Sequence, residues 1–98
     1  MTIKGVTKSE ESIIQEILKP YKNEFDFFYY GSRVKGNFEK TSDLDILIKG
    51  TSKFSLNELE TVKTLFDSSD LPYIVNFVDY NTIDEKFYNY IKKDLVKV

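Results

Sequence analysis

Asp43 and Asp45 stand one residue apart in Asp43-Leu44-Asp45-Ile46-Leu47-Ile48, a run of strand length that is otherwise aliphatic. On a strand, residues i and i+2 project from the same face, so both carboxylates leave a burial-suited segment together. Left unpaired, two like charges in partly dry surroundings repel and raise a pKa. A divalent cation, or two of them about 3.5 to 4 Å apart, removes the conflict. An edge strand with its acids in water, or a turn capped by Ser42 and Asp43, is the alternative use of the same residues. Six residues separate Asp43 from the end of the segment Gly31-Ser32-Arg33-Val34-Lys35-Gly36. A strand that stops at Gly-Ser and enters a helical turn can offer backbone N–H groups and a hydroxyl to a phosphate, aided by the positive helix start. Arg33 and Lys35 add charge there. By itself the segment also suits an ordinary turn.

Composition narrows the chemistry. Among 98 residues there is no His and no Cys, which excludes an imidazole base, a thiolate nucleophile, a disulfide and a Cys/His zinc centre. Carboxylates, hydroxyls, lysines and one Arg remain. A protein-bound metal must then take oxygen ligands, which points to Mg²⁺ or Mn²⁺. Fourteen basic residues against 16 acidic ones give a net charge of −2. That balance argues against direct nucleic-acid binding over a wide face but allows a small nucleotide. No apolar run approaches the roughly 20 residues that span a bilayer, and Met1–Gly5 has no long apolar run of the signal-peptide kind. A cytoplasmic protein without membrane association is expected. The length suits a single domain, residues 1–98, that buries roughly two-thirds of its unfolded surface. A site on it is expected to be shallow or completed by a partner.

The elements that must hold these residues follow from periodicity and punctuation. Ser9, Glu10 and Glu11 suit a helix start, and Ile13, Ile14, Ile17 and Leu18 continue on one face, which predicts a helix over 9–18 closed by Pro20. Phe25–Tyr30 is a strand that stops at Gly31-Ser32, and Asp43–Ile48 is a second that ends at Lys49-Gly50. Between them Ser32–Gly36 suits a short helical turn. Ser55-Leu56-Asn57-Glu58 has capping-box form, and Leu56, Leu59, Val62, Leu65 and Phe66 carry a helix to Phe66. After Asp70-Leu71-Pro72, the stretch Tyr73–Val78 is a third strand. Thr82-Ile83-Asp84-Glu85 suggests another capping box, with Ile83, Phe87, Ile91 and Leu95 as the buried stripe of a last helix. The sum is an α/β (α+β) fold: a small mixed three-stranded sheet with helices mainly on one face. So small a sheet, and the aromatic faces of Phe27, Tyr29, Tyr88 or Tyr90, predict an oligomer or hetero-complex.

Together, Gly31-Ser32-Arg33-Val34-Lys35-Gly36 and Ser42-Asp43-Leu44-Asp45-Ile46-Leu47-Ile48 resemble the Gly-Ser…Asp-x-Asp signature of the polymerase-beta-like nucleotidyltransferases, most closely their minimal single-domain MNT branch. Leu71–Asp79 is similar to that family's third-strand segment, and the resemblance extends from about Glu11 to Leu95. It implies nucleotidyl transfer by a two-metal route, with ATP or another NTP as substrate and Mg²⁺, or Mn²⁺, as cofactor. Gly31 and Ser32 would hold the triphosphate, Asp43 and Asp45 would bind metal, and Arg33 and Lys35 would be secondary phosphate contacts. Minimal members are often encoded beside a HEPN-type RNase toxin and act as antitoxins that modify a toxin tyrosine. The resemblance therefore implies AMP transfer to a hydroxyl of such a small helical partner protein.

At the place of the family's third acid, which completes one metal site and helps deprotonate the acceptor, this sequence has Asn76. An amide oxygen can face Mg²⁺ but brings no charge and takes no proton at neutral pH. Asp79 does not replace it, because i+3 on a regular strand lies on the opposite face. Two readings follow: an active transferase, or a catalytically degenerate member that works as a binding antitoxin or partner subunit.

Overall fold

The aromatic run Phe25–Tyr30 forms β1 in the computed structural model, which describes residues 3–98. Of the N-terminal stretch Met1–Gly5, Met1 and Thr2 lie outside the described residues. Alternation divides β1 between two cores: Phe25, Phe27 and Tyr29 face one side of the sheet, Phe28 and Tyr30 the other. β2 (Leu44–Gly50) pairs antiparallel with β1 and puts Asp45 opposite Tyr30. β3 (Val75–Asp79) runs parallel to β2, with Asn76 opposite Asp45. A parallel neighbour requires a crossover, and helix α3 (Leu56–Asp67) supplies it.

Helix α1 (Lys8–Leu18) and α3 cover one face, where Ile14, Leu18, Val62 and Phe66 meet Phe27, Tyr29, Leu44, Ile46 and Ile48. Both helices start with a full capping box, Thr7 with Glu10 and Ser55 with Glu58. The α1 cap is thus Thr7 rather than Ser9, since Glu10 stands three residues after Thr7 and closes the reciprocal pair. The other face is covered by α4 (Glu85–Ile91), with Ile91 and Phe87 against Tyr30 and Leu47. Its cap is Asp84, which accepts from Phe87 N, while the Thr82 hydroxyl is engaged by the Asp79 carbonyl.

Among the described residues the sheet has four strands, in the order β3-β2-β1-β4, where the sequence pattern predicts three. The extra one, β4 (Val96–Lys97), pairs antiparallel with Phe28 and Tyr29. The last helix therefore stops at Ile91, passes through a 3-10 turn at Lys92–Asp94, and becomes extended at Leu95. Leu95 keeps its place in the α4-side core while Val96 and Val98 pack into the other, so the tail alternates as a strand does. Pairing satisfies the backbone of the otherwise open β1 edge. Among the described residues no helix is long and apolar enough to cross a membrane.

Candidate active site

At the end of β1 the chain reverses at Gly31, with φ 86° and ψ −160°, a conformation essentially confined to glycine. A Cβ there would also run into the Asp45 carboxylate. Helix α2 (Ser32–Lys35) follows and is closed by Gly36 at φ 96°. The N–H groups of Val34 and Lys35 fold back on the Gly31 carbonyl; those of Ser32 and Arg33, in the first turn, have no intrahelical acceptor. The end of β1 lies beside the start of β2, which carries Asp45 directly beneath this turn.

Asp43 immediately precedes β2, and the parallel register brings Asn76 of β3 beside Asp45. The Asn76 amide Nδ2 donates to Asp43 Oδ2 at 2.8 Å and reaches Asp45 Oδ1 at 3.4 Å. Gly31, Ser32, Asp43, Asp45 and Asn76 thus gather at one end of the sheet. Burial holds the Asp45 carboxyl above the usual carboxylate range; the Asn76 hydrogen bond opposes this and the Asp43 charge adds to it. Opposite it, burial and the Asp45 charge push the Tyr30 phenol up to about 12. Asp43 and Asn76 are exposed, Asp45 is half-buried, and the site is open to solvent. No group of three or more His, Cys, Asp or Glu suited to a metal occurs among the described residues. Two carboxylates and an amide oxygen suit a hard divalent cation that completes its shell with water and substrate phosphates.

Arg33 departs from the expected phosphate contact. It is 4% exposed, and its guanidinium donates to the carbonyls of Ser42, Gly5, Glu39 and Lys40. Donors spent on backbone carbonyls are not available to a phosphate. Lys35 is exposed and lies 3.7 Å from Asp94 and over the Tyr90 ring. Asp79 lies on the face opposite Asn76, accepts from Phe54 N and Asn81 N, and ends β3. Tyr30, Tyr73 and Gly5 support the site without having been singled out for it in the sequence. Tyr73 lies 3.9 Å from the Arg33 guanidinium and Gly5 packs against the Arg33 side chain. Both contacts are too distant in sequence for spacing to reveal.

A family model described as "Polymerase beta, Nucleotidyltransferase" matches residues 12–97. A Haemophilus influenzae protein named "Probable protein adenylyltransferase MntA" is 36% identical over 92 residues, which cover 93% of this chain and 81% of that protein. A solved structure described as a toxin-antitoxin with AMP-PNP matches with a TM-score of 0.73 at 17% identity, over 89% of this chain and 70% of that one, a likeness of fold. The family match runs through α1, the Gly-Ser turn, the Asp-x-Asp strand and β4, and with that relative it makes the chain a member of the polymerase-beta-like nucleotidyltransferases, in their minimal MNT branch.

Proposed function

We propose that this chain transfers AMP from ATP to a hydroxyl of a partner protein. The observation that carries the reading is the meeting of the Gly31-Ser32 turn with Asp43 and Asp45 at one sheet end. The name of the Haemophilus influenzae relative supports adenylyl transfer to protein, and the toxin-antitoxin structure supports a toxin as the partner. By the family resemblance that toxin is of the HEPN type, and the lack of a long apolar run in this sequence supports a cytoplasmic setting.

In this reading Asp43 and Asp45 would hold Mg²⁺, or Mn²⁺, and the Asn76 side chain would have to turn its oxygen to the cation in place of the Nδ2 that faces both acids. When bound, the cation neutralises the triphosphate and stabilises charge on the attacking and leaving oxygens. Gly31 lets the backbone approach the triphosphate without a Cβ in the way, and Ser32 offers N–H and hydroxyl donors. The acceptor oxygen forms a bond to the α-phosphorus, the bond from that phosphorus to the bridging oxygen breaks, and pyrophosphate leaves. The acceptor proton departs to solvent, because Asn76 does not accept it. Exposed Leu56, Leu65, Ile74 and Tyr90 are the apolar side chains available to a partner.

A second reading is favoured by the hydrogen bonds of Asn76 to both acids. An amide in this place holds the two carboxylates together without a cation, as suits a chain that acts by binding alone. Incorporation of α-labelled ATP into the co-encoded neighbouring protein separates the two, with wild type and Asn76→Asp compared in Mg²⁺ and Mn²⁺. Labelling by the wild type supports the transferase. Labelling by Asn76→Asp alone, a gain of about 10²-fold or more from a restored base, supports the binding protein. Silence from both overturns the assigned nucleotide or acceptor.

A further inference from the structure

We infer that Arg33 is a positioning residue: its buried guanidinium ties the Gly31-Ser32 turn, the loop before Asp43 and the approach to β3 into one unit. It thereby sets where Asp43 stands relative to Asp45 and Asn76. The inference rests on the reading that Asp43 and Asp45 hold the divalent cation.

Residues 36–43 have no helix or strand of their own, yet they deliver Asp43 to the site. Their carbonyls converge on Arg33: Nε donates to Ser42 O at 3.0 Å, and Nη2 donates to Lys40 O at 3.0 Å and Glu39 O at 3.3 Å. The Ser42 carbonyl belongs to the peptide that enters Asp43, so its anchoring fixes the plane from which the Asp43 side chain departs. A local pair steadies the same loop, Glu39 N to Ser42 Oγ at 2.8 Å and Ser42 N to Glu39 O at 3.1 Å. On the other side, Nη1 donates to Gly5 O at 2.6 Å, and Gly5 N returns a bond to Arg33 O at 3.0 Å. A Cβ on Gly5 would collide with the Arg33 side chain, so the turn that leads into α1 is fitted to this contact.

The guanidinium plane is held by Tyr73 at 3.9 Å and Phe38 at 5.0 Å. Tyr73 itself donates to Glu10 Oε1 of α1 at 3.1 Å and lies three residues before Asn76. One side chain therefore touches each segment that brings a site residue: its own turn, the Asp43 loop and the lead into β3. Lys does not substitute for it, since an ammonium has three donors, no plane to stack and no fork to span four carbonyls.

The test is Mn²⁺ binding to the full chain without nucleotide, by calorimetry, for wild type, Arg33→Lys, Arg33→Ala, Tyr73→Leu and Asp45→Asn, with amide exchange over residues 39–43. The expected result is a loss of tenfold or more in Mn²⁺ affinity for both Arg33 variants, with Lys no better than Ala, and faster exchange at 39–43. Tyr73→Leu is expected to fall between. Arg33 variants that bind Mn²⁺ like wild type overturn the proposal. So does an Arg33→Lys that retains Mn²⁺ affinity while Arg33→Ala loses ATP, the signature of a phosphate contact. If Arg33→Ala does not fold, Arg33→Lys and Tyr73→Leu decide by the same criteria. Unchanged Mn²⁺ affinity in Asp45→Asn overturns the cation reading instead, and slow exchange at 39–43 in the Arg33 variants would then overturn the clip on its own.

Discussion

Asp45 is the residue at which the two demands on this chain meet. Its strand position serves the sheet, while its charge serves the site and is disfavoured by burial. A carboxyl whose pKa is raised by folding contributes stability at low pH that is lost as pH rises through the raised value. At neutral pH without cation, Asp45→Asn is therefore expected to melt a few degrees above wild type in thermal unfolding. The same variant is expected to lose more divalent-cation affinity than the roughly 100-fold typical of a lost outer partner; calorimetry checks this. Asn76→Asp is expected to do the reverse. It replaces a donor to two carboxylates by a third negative charge, so it lowers the cation-free melting temperature and raises cation affinity. Thermal scans with and without Mg²⁺ separate the two effects.

At the scale of elements, the turn from β1 into α2 carries more of the site than either element does. Gly31 combines a positive φ with direct apposition to the Asp45 carboxylate. Gly31→Ala is expected to cost about 1–3 kcal/mol of stability and to weaken cation binding as well, as measured by urea unfolding and calorimetry on the same sample. The α3 cap makes the contrast. Ser55 closes a capping box on the surface, away from the acids. Ser55→Ala is expected to cost about 1 kcal/mol in urea unfolding and to leave cation affinity as it was.

Across the whole molecule, tyrosines replace the missing histidines and cysteines as the buried polar groups that join layers. Tyr29 reaches across from β1 to Glu11 of α1, which also accepts from Gln15. Tyr73 joins the lead into β3 to Glu10, and Tyr30 lies between Asp45 and Phe87 of α4. Burial raises all three phenols, with neighbouring carboxylates adding to the shift. Phenols held above their unfolded value of about 10 contribute stability that disappears as pH rises beyond it. The molecule is expected to unfold between pH 10 and about 12, where Tyr30 ionises. Tyrosinate absorbance should then appear together with loss of circular dichroism; tyrosinate release from a still-folded chain would contradict this account. Tyr29 and Phe27 belong to the core, Tyr88 is half-buried, and of the four aromatics considered for an interface only Tyr90 is exposed.

Local physics was enough for much of this. A run of aromatics placed β1 at Phe25–Tyr30, apolar spacing with Ser55 and Glu58 placed α3, and the Asp-x-Asp spacing brought Asp43 and Asp45 to one amide, Asn76, although Asp43 stands just ahead of β2 rather than in it. The absence of His and Cys left oxygen ligands as the only metal chemistry. What required the tertiary structure depends on contacts between distant segments. The two-residue β4 is too short to show a period and exists because β1 had a free edge. Asn76 meets both acids only through the parallel register of β2 and β3. Arg33 sits beside Ser32 in sequence and so invites a phosphate, but the fold surrounds its guanidinium with four carbonyls from the N-terminal segment and the Asp43 loop. Sequence determines which groups a segment can offer; where a long, flexible side chain spends them is decided by the neighbours that folding brings to it.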